Sequence, residues 1–208
     1  ETSPLKDIVD EVLPLKAGAE ISVAATKSYL STLSALLQLT AYWTENLELV
    51  KALDTLPAAL QNIIDSPAQL TSQSIDGVKN LVVLGRGLGY AITKEMALKL
   101  KEVSSIHAES FSSAEFLHGP VTLVEQGLVI LDCSVEDETK ESHQQQIAEV
   151  KKRGAQVISL NQQGIKVHPR LAPFLVLQRF YLDVAKVALS RGFNPDEPKG
   201  LKKVTRTL

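Results

Sequence analysis

The chain has 208 residues, of which 44% are hydrophobic and 22% charged, and its formal net charge is −2 at neutral pH. That apolar share is ordinary for a packed globular core, so a wholly disordered chain is excluded. The weakly acidic balance gives no general attraction to nucleic acid or to an anionic membrane. The single cysteine, Cys133, excludes a disulfide framework within the chain and a multi-cysteine zinc site.

No segment has the pattern of a membrane or export signal. No apolar run approaches the roughly 20 residues that a membrane-spanning helix needs. The N-terminus lacks the basic and then apolar pattern of a signal peptide. We therefore expect a cytoplasmic protein with no nucleic-acid or membrane partner. The sequence begins with Glu1, and its one methionine is Met96, which leads us to expect part of a longer protein.

The N-terminal region carries a long helical pattern. Residues 5–14 predict a short helical turn that runs into a strand. A long helix is predicted over about 22–46, with Ser22 as its N-cap and a broad apolar surface of leucines.

Residues 48–76 predict short helical pieces. Pro57 and Pro67 are placed near the starts of two of these pieces, where a missing amide hydrogen costs least. The stretch is polar and interrupted by prolines, which favours a connector.

Strands and helices alternate from Val78 onward. Apolar runs predict three strands, at 80–85, 128–133 and 155–160, and residues 107–111 are predicted as a short extended piece. Longer periodic runs predict helices at about 89–105, 139–153 and 172–190. Such alternation indicates an α/β fold of three layers, with a parallel sheet between helices.

A glycine-rich turn, Gly85-Arg86-Gly87-Leu88-Gly89, joins the first of these strands to its helix. Glycines allow the backbone to turn tightly there, and the amide hydrogens of the helix N-terminus suit an anion. The spacing departs from the dinucleotide-binding pattern G-x-G-x-x-G. A plain strand-to-helix turn and a phosphate site both remain open, and the plain turn is favoured.

The helix after this turn carries charges on two different faces. At about 100° per residue, Lys94 and Lys101 share a solvent face, whereas Glu95, Lys99 and Glu102 fall within about 60° of each other, next to apolar positions. Buried charges are costly and concentrate where chemistry needs shifted pKa values. A partly solvated ladder of ion pairs explains the same spacing. The pattern leaves these two interpretations open.

Histidine and the basic tail offer further chemistry. His118 precedes a Gly-Pro break, and an imidazole at a loop edge suits acid–base catalysis, whereas the other three histidines carry no such signal. No two histidines have metal-ligand spacing, so we expect no metal.

The C-terminal tail carries a basic cluster of Lys199, Lys202, Lys203 and Arg206. One interpretation is that these side chains are solvated. The other is that the tail supplies one lysine to a neighbouring cleft, as a Schiff-base former or phosphate partner.

Three segments together resemble the sugar isomerase (SIS) family. ALKLKEVSSIHAESFSSAEFLHGP resembles the SIS domain in the isomerase half of glucosamine-6-phosphate synthase, and more closely that of stand-alone double-SIS proteins, including glucosamine-6-phosphate deaminases. RGFNPDEPKGLKKVTRTL resembles the ending of those proteins. AEISVAATKSYLSTLSALL resembles the close of their first SIS domain.

The resemblance implies an architecture of flavodoxin-like lobes that work as a homodimer. It places the end of a first SIS domain at residues 1–50, a helical connector at 51–77, and a second SIS domain with its tail at 78–208. The loop of the first lobe that binds the sugar phosphate in the family has no counterpart in this sequence.

The resemblance also implies site roles. Glu102 would move a proton between C1 and C2 of the open-chain sugar, His118 of the partner subunit would assist ring opening, and Lys203 would engage the sugar carbonyl. Supporting and sugar-lining positions would be Lys99, Glu95, Val23 and Ala25. Ala25 stands where the synthases usually have serine, so one hydroxyl contact is lost.

From this resemblance we expect an enzyme that converts glucosamine 6-phosphate to fructose 6-phosphate and ammonia, with a sugar phosphate as its small-molecule partner and no cofactor. The alternatives are the isomerase domain of the synthase, which runs amination, and a sugar-phosphate regulator that only binds.

Overall fold

A computed structural model describes residues 3–204 of the chain. The helices and strands follow in the order α1 (Lys27–Trp43), α2 (Leu47–Asp65), β1 (Asn80–Gly85), α3 (Gly87–Ser104), β2 (His107–Ser112), α4 (Ser113–Phe116), β3 (Val129–Cys133), α5 (Lys140–Lys152), β4 (Gln156–Leu160) and α6 (Ala172–Ser190). Short 3₁₀ turns lie at Pro4–Asp7, Gln73–Ile75, Pro120–Gln126 and Pro169–Leu171. Within this part of the chain, no helix has both the length and the apolar character that crossing a bilayer would require.

The four strands form one parallel sheet in the order β2-β1-β3-β4. Val83 of β1 is central, since it pairs with Ser110 of β2 on one side and Leu131 of β3 on the other. Strand β3 is buried along its whole length. A strand covered on both faces needs apolar side chains in both directions, which explains why β1 and β3 are mainly apolar. The buried Asp132 of β3 is the exception, and its carboxylate is hydrogen-bonded to His143 and Ser159.

Helices cover both faces of the sheet. On one face α3 and α6 pack together, with Met96 and Phe180 fully buried between them and the sheet. On the other face α4 and α5 bury Phe116 and Ile147. The predicted flavodoxin-like α/β fold, with its three αβα layers, is confirmed.

Helix α1 begins later than predicted, at Lys27, and Ser22 is not its N-cap. Glu20 performs that role from outside the helix, because its carboxylate accepts hydrogen bonds from the backbone N–H of Thr26 at 2.8 Å and of Ser28 at 3.3 Å. It also accepts a short hydrogen bond from the Ser28 hydroxyl. These bonds to the ionised form lower the pKa of Glu20 against the opposing effect of burial. Because Glu20 lies six residues before Thr26, the capping residue has no local sequence pattern that would predict it.

The prediction of short helical pieces over 48–76 is wrong for most of that range. Residues 47–65 form the single helix α2, and Pro57 lies inside it on the exposed side. Its opposite face packs on α6, burying Leu56 and Ile63. Burial of that face outweighs the missing amide hydrogen bond of an internal proline.

The strand predicted within residues 5–14 is also absent. A single 3₁₀ turn at Pro4–Asp7 is followed by irregular backbone up to α1. The apolar side chains of Val9, Val12 and Leu13 are exposed. A strand needs a neighbour that supplies hydrogen bonds, and no strand of residues 3–204 lies beside this segment to do so.

Candidate active site

The two carboxylates and the ammonium predicted on one side of α3 form a compact cluster. The Lys99 Nζ atom lies 2.5 Å from Glu102 Oε2 and 3.4 Å from Glu95 Oε1. Lys99 is 3% exposed and Glu95 7%, whereas 24% of the Glu102 side chain is exposed. The i,i+4 and i,i+3 ion pairs of the predicted ladder are both present, and only Glu102 is partly solvated, because the central ammonium and the other carboxylate are buried in the protein.

A tyrosine from another helix completes the cluster. The hydroxyl of Tyr181 on α6 donates a 2.8 Å hydrogen bond to Glu95 Oε1, and the tyrosine itself is buried. The sequence analysis missed this residue, because a tyrosine in an apolar helix fits a plain core position equally well.

Burial dominates the electrostatics of this cluster. It raises the pKa of Glu95, while the positive charge of Lys99 and the hydrogen bond from Tyr181 act in the opposite direction. Burial, and then the negative charge of Glu95, raise the pKa of Tyr181 well above its usual value, so this phenol stays protonated and donates its hydrogen bond. Tyr29 on α1 has a raised pKa for the same two reasons.

A cavity of about 230 Å³ lies beside the cluster. Its walls come from three helices and two connecting segments, and they include Lys99, Tyr181, Leu30, Ala24, Ser22 and Asp196. Ala24 lines this cavity, whereas the predicted sugar-lining positions Val23 and Ala25 do not. The backbone at Val23 instead serves to hold the wall in place.

The C-terminal tail fastens that wall. Asp196 accepts a 2.7 Å hydrogen bond from the Ser22 hydroxyl through its side chain, and a 2.9 Å bond from the Val23 N–H through its backbone carbonyl. The ammonium of Lys203 donates to the Ser22 carbonyl at 2.7 Å. Lys203 therefore lies against a cavity-lining segment, although it is exposed, as are Lys199 and Lys202. Arg206 lies outside the described residues.

His118 lies apart from this cavity. It follows α4, its side chain is exposed, and its backbone N–H donates to the Glu115 carbonyl. No side-chain hydrogen bond of His118 occurs within residues 3–204. The structure brings together Glu95, Lys99 and Glu102 and sets Lys203 against the cavity wall, but it does not bring His118 to them.

His143, which carries no catalytic signal in the sequence, has a structural role. This buried histidine on α5 joins Ser113 Oγ at 2.9 Å to Asp132 Oδ1 at 2.7 Å. Asp132 also accepts a hydrogen bond from Ser159, and Ser113 donates a short bond to Gln146. The network ties the start of α4 to β3, β4 and α5, so it anchors the loop that carries His118. Apart from His143 and Gln146, which share α5, each member lies on a different element, so little of the network has a spacing that a sequence pattern could detect.

The glycine-rich turn works as a plain turn. Gly87 adopts a φ of +52°, and a Cβ there would come within 2.6 Å of Asp137 Oδ2. That same carboxylate oxygen accepts the Leu88 N–H at 2.9 Å, at the N-terminus of α3. An acidic side chain thus occupies the position that a phosphate would need. Within residues 3–204, no group of three or more His, Cys, Asp or Glu side chains is placed to hold a metal ion.

Residues 74–169 match the family model described as the SIS domain. This segment of the chain is a SIS domain. It contains the Glu95–Lys99–Glu102 cluster, the His143 network and His118, whereas Tyr181 and the tail lie beyond it.

Two relatives are similar over nearly the whole chain. A glutamine–fructose-6-phosphate aminotransferase [isomerizing] from Caldanaerobacter subterraneus subsp. tengcongensis is 33% identical over 219 residues, which cover 93% of this chain and 36% of that protein. The crystal structure of a candidate phosphosugar isomerase from Silicibacter pomeroyi is 35% identical, with a TM-score of 0.81, covering 93% of this chain and 62% of that one. The chain thus spans about a third of the length of the curated relatives it matches.

A third protein shares the fold of this chain. The structure of a glucosamine-6-phosphate deaminase from Thermotoga maritima has a TM-score of 0.68 and 24% identity, covering 89% of this chain and 58% of that one. At that identity the similarity shows the architecture alone.

Proposed function

We propose that this chain supplies a phosphosugar-isomerising site of the kind found in glutamine–fructose-6-phosphate aminotransferases, moving a proton between C1 and C2 of an open-chain hexose phosphate. The observation that carries the proposal is the Glu95–Lys99–Glu102 cluster, in which the buried Lys99 lines a cavity and Glu102 is partly exposed. Curated relatives of 33% identity support the substrate class. The whole-protein activity belongs to a longer molecule than this chain spans.

Glu102 is suited to carry the proton. An isomerising base must reach the substrate, and Glu102 is the cluster member whose side chain is partly exposed. Its neighbour Lys99 supplies a positive charge that holds the carboxylate in place and stabilises negative charge developing on the substrate. In the aminating direction, the protonated C2 imine of fructose 6-phosphate would lose a C1 proton to Glu102 and become an enaminol. Glu102 would return that proton to C2, and the O1 hydroxyl would release its proton to the amine as the C1 aldehyde forms.

The direction of the reaction separates two candidates. The expected deaminase has weaker support than its alternative, the synthase isomerase domain, because the deaminase similarity extends only to the fold. Ala25 is the observation that keeps deamination as a second candidate, since a hydroxyl usual in the synthases is missing. A regulator that only binds sugar phosphate would have no use for a buried ammonium between two carboxylates.

The homodimer is also a proposal. In it, His118 of the partner subunit would reach the site and assist ring opening, which fits the exposure of His118 and its distance from the cavity of its own chain. Lys203 would move from the Ser22 carbonyl to the sugar carbonyl when substrate enters.

The test is Glu102→Gln in the full-length protein that contains this chain. Glutamine keeps the size and hydrogen bonding of the side chain but cannot take a proton, so turnover should fall about 10²–10⁴-fold. Sugar-phosphate binding should stay within about threefold. Interconversion of glucosamine 6-phosphate and fructose 6-phosphate with ammonia, measured in both directions, gives the rate and the favoured direction.

Glu109→Gln is the matched control, because Glu109 is an exposed glutamate on β2. It should leave turnover unchanged. Near-normal turnover by Glu102→Gln would reject Glu102 as the base. A wild-type protein that binds sugar phosphate, but neither converts it nor exchanges its C1 or C2 hydrogen with deuterated water, would be the binding-only regulator.

A further inference from the structure

Tyr181 makes one polar contact across the interface between α6 and α3. Its phenol is buried, and its hydroxyl donates to Glu95 Oε1 at 2.8 Å. Burying a phenol hydroxyl without a hydrogen-bond partner would cost stability, so the hydrogen bond to the Glu95 carboxylate is a specific feature of this site. The same side chain lines the cavity beside Lys99.

The hydrogen bond from Tyr181 gives Glu95 a donor where the cluster has too few positive charges for its carboxylates. The cluster has two carboxylates and one ammonium, and Lys99 lies 2.5 Å from Glu102 but 3.4 Å from Glu95. Glu95 is the more deeply buried carboxylate, so it has the greater need for donors. Tyr181 supplies a donor to Glu95, and the ammonium remains closest to Glu102.

We propose that Tyr181 is a positioning residue of this site: its hydroxyl holds Glu95 as a carboxylate, and Glu95 then holds Lys99 in place against Glu102. The inference rests on the proposed function, in which Glu102 carries the proton. Tyr181 itself does not touch the reacting atoms in this account. It acts through Glu95.

The groups that face Glu95 come from three helices. Lys99 and Glu102 lie on its own helix, Tyr181 faces it from α6, and Tyr29 lies near it on α1. The Tyr29 hydroxyl makes no hydrogen bond within residues 3–204; burial, and then the charge of Glu95, raise the pKa of Tyr29. Burial raises the pKa of Glu95, and the bond from Tyr181 opposes that rise. Removing the hydroxyl should therefore raise the Glu95 pKa further, so that Glu95 protonates at a higher pH and releases Lys99.

Tyr181→Phe in the full-length protein tests this inference through the pH profile of kcat/KM. The acidic limb should move upward by about one pH unit, as expected when one hydrogen bond to a charged form is lost. Activity should fall about tenfold on that limb and less than about threefold at the plateau. Tyr29→Phe, the matched control, should leave the limb where it is. A merely structural role for Tyr181 would lower activity by one factor at every pH.

Glu95→Gln provides the second arm. An amide cannot ionise, so adding Tyr181→Phe to Glu95→Gln should produce no further movement of the limb. A shift of equal size in both backgrounds would overturn the inference, because Tyr181 would then act without Glu95. An unmoved limb in Tyr181→Phe alone would overturn it as well.

A direct titration separates this inference from the proposed function. Carbon-13 NMR of the Glu95 carboxyl in the full-length protein should show a higher pKa in Tyr181→Phe and no change in Tyr29→Phe. If the titration shifts as expected but the wild type converts no sugar phosphate, the proposed function fails while the hold of Tyr181 on Glu95 stands. An unchanged titration in Tyr181→Phe would overturn the inference whatever the activity.

Discussion

Two buried ion pairs with i,i+4 spacing lie on neighbouring helices, and they differ in how completely their charges are satisfied. On α6, Arg179 pairs with Asp183, and both side chains are buried. The guanidinium also donates to the carbonyls of Ile64 and Ser66 at 3.0 Å, just at the end of α2. The Asp183 carboxylate accepts the backbone N–H groups of Gln69 at 2.8 Å and Leu70 at 3.1 Å.

On α3, the Lys99 pair is left incomplete. One ammonium serves two carboxylates, a tyrosine supplies the missing donor to Glu95, and Glu102 is open to solvent through a quarter of its side chain. The cluster borders a cavity. The remaining donors and acceptors of the Arg179–Asp183 pair are taken up by backbone groups of the chain.

The contrast distinguishes a structural ion pair from the pair that we propose acts on a substrate. A charge whose partners are all fixed protein groups can do nothing more than hold elements together, as Arg179 and Asp183 hold the end of α2 against α6. A charge that keeps one open side can act on a ligand. Spacing and burial are the same in both pairs, so the difference lies in the surrounding partners.

Asp183→Ala should give the largest effect on stability. It would leave the buried Arg179 guanidinium without a counter-charge and two backbone N–H groups without an acceptor. We expect the free energy of unfolding to fall by about 3–5 kcal/mol in urea titrations of the full-length protein. Asp54→Ala, at an exposed aspartate on α2, should change it by less than about 0.5 kcal/mol. Equal changes in the free energy of unfolding for the two substitutions would show that the Arg179–Asp183 pair does not stabilise the fold.

Lys99→Met should affect stability less and turnover more. Glu95 keeps its bond from Tyr181 and can take up a proton, and Glu102 can turn to solvent, so the loss should be about 1–3 kcal/mol. Turnover of the sugar phosphate should fall at least about 100-fold, because the carboxylates lose the charge that holds them.

Lys101→Met is the control for that substitution, since Lys101 is an exposed lysine on the same helix. It should leave stability and turnover unchanged. If Lys99→Met destabilised the protein as strongly as Asp183→Ala while turnover persisted, the α3 cluster would be structural like the α6 pair.

Glu95→Gln should give the smallest effect, a change in how stability depends on pH. The pKa of Glu95 is raised from its usual 4.5 in the folded protein, so the folded state holds this proton more tightly than the unfolded state. The wild type should therefore lose stability as pH rises from about 4.5 through the folded pKa, by about 1.4 kcal/mol per unit of difference.

The glutamine variant lacks that proton and should show no such loss, so its stability relative to the wild type should increase with pH over this window. Urea titrations between about pH 4.5 and 8 measure the difference. Glu109→Gln, at an exposed position, should run parallel to the wild type. A Glu95→Gln curve that is also parallel would show that burial does not perturb this carboxyl.

The sequence-based predictions were accurate where contacts within one element decide the structure, and they failed where contacts with distant residues decide it. The strands at 80–85 and 128–133 and the helix at 172–190 were predicted almost to the residue, because buried strands and an apolar helix are local patterns. The N-terminal predictions failed where a distant partner decided the outcome. Glu20 caps α1 from six residues away, and packing on α6 keeps α2 continuous through Pro57.

The candidate site was predicted in the same uneven way. Helical periodicity alone placed Glu95, Lys99 and Glu102 together, and the distances agree. The residues that surround them were missed, although Arg179 and Asp183 at i,i+4 in an apolar helix offered a signal of the same kind. Tyr181 offered none, because nothing along α6 indicates that its hydroxyl meets α3.

By itself, the sequence determined the parallel αβα fold and the grouping of three charges on one side of α3, because both follow from repeats along a single element. Only the tertiary structure decided which of those charges are buried, that Tyr181 and the 22–27 segment close around them, and that Asp137 fills the glycine-rich turn. Those outcomes depend on side chains brought together from far apart in the chain. Contacts of that kind have no period for a sequence pattern to reveal.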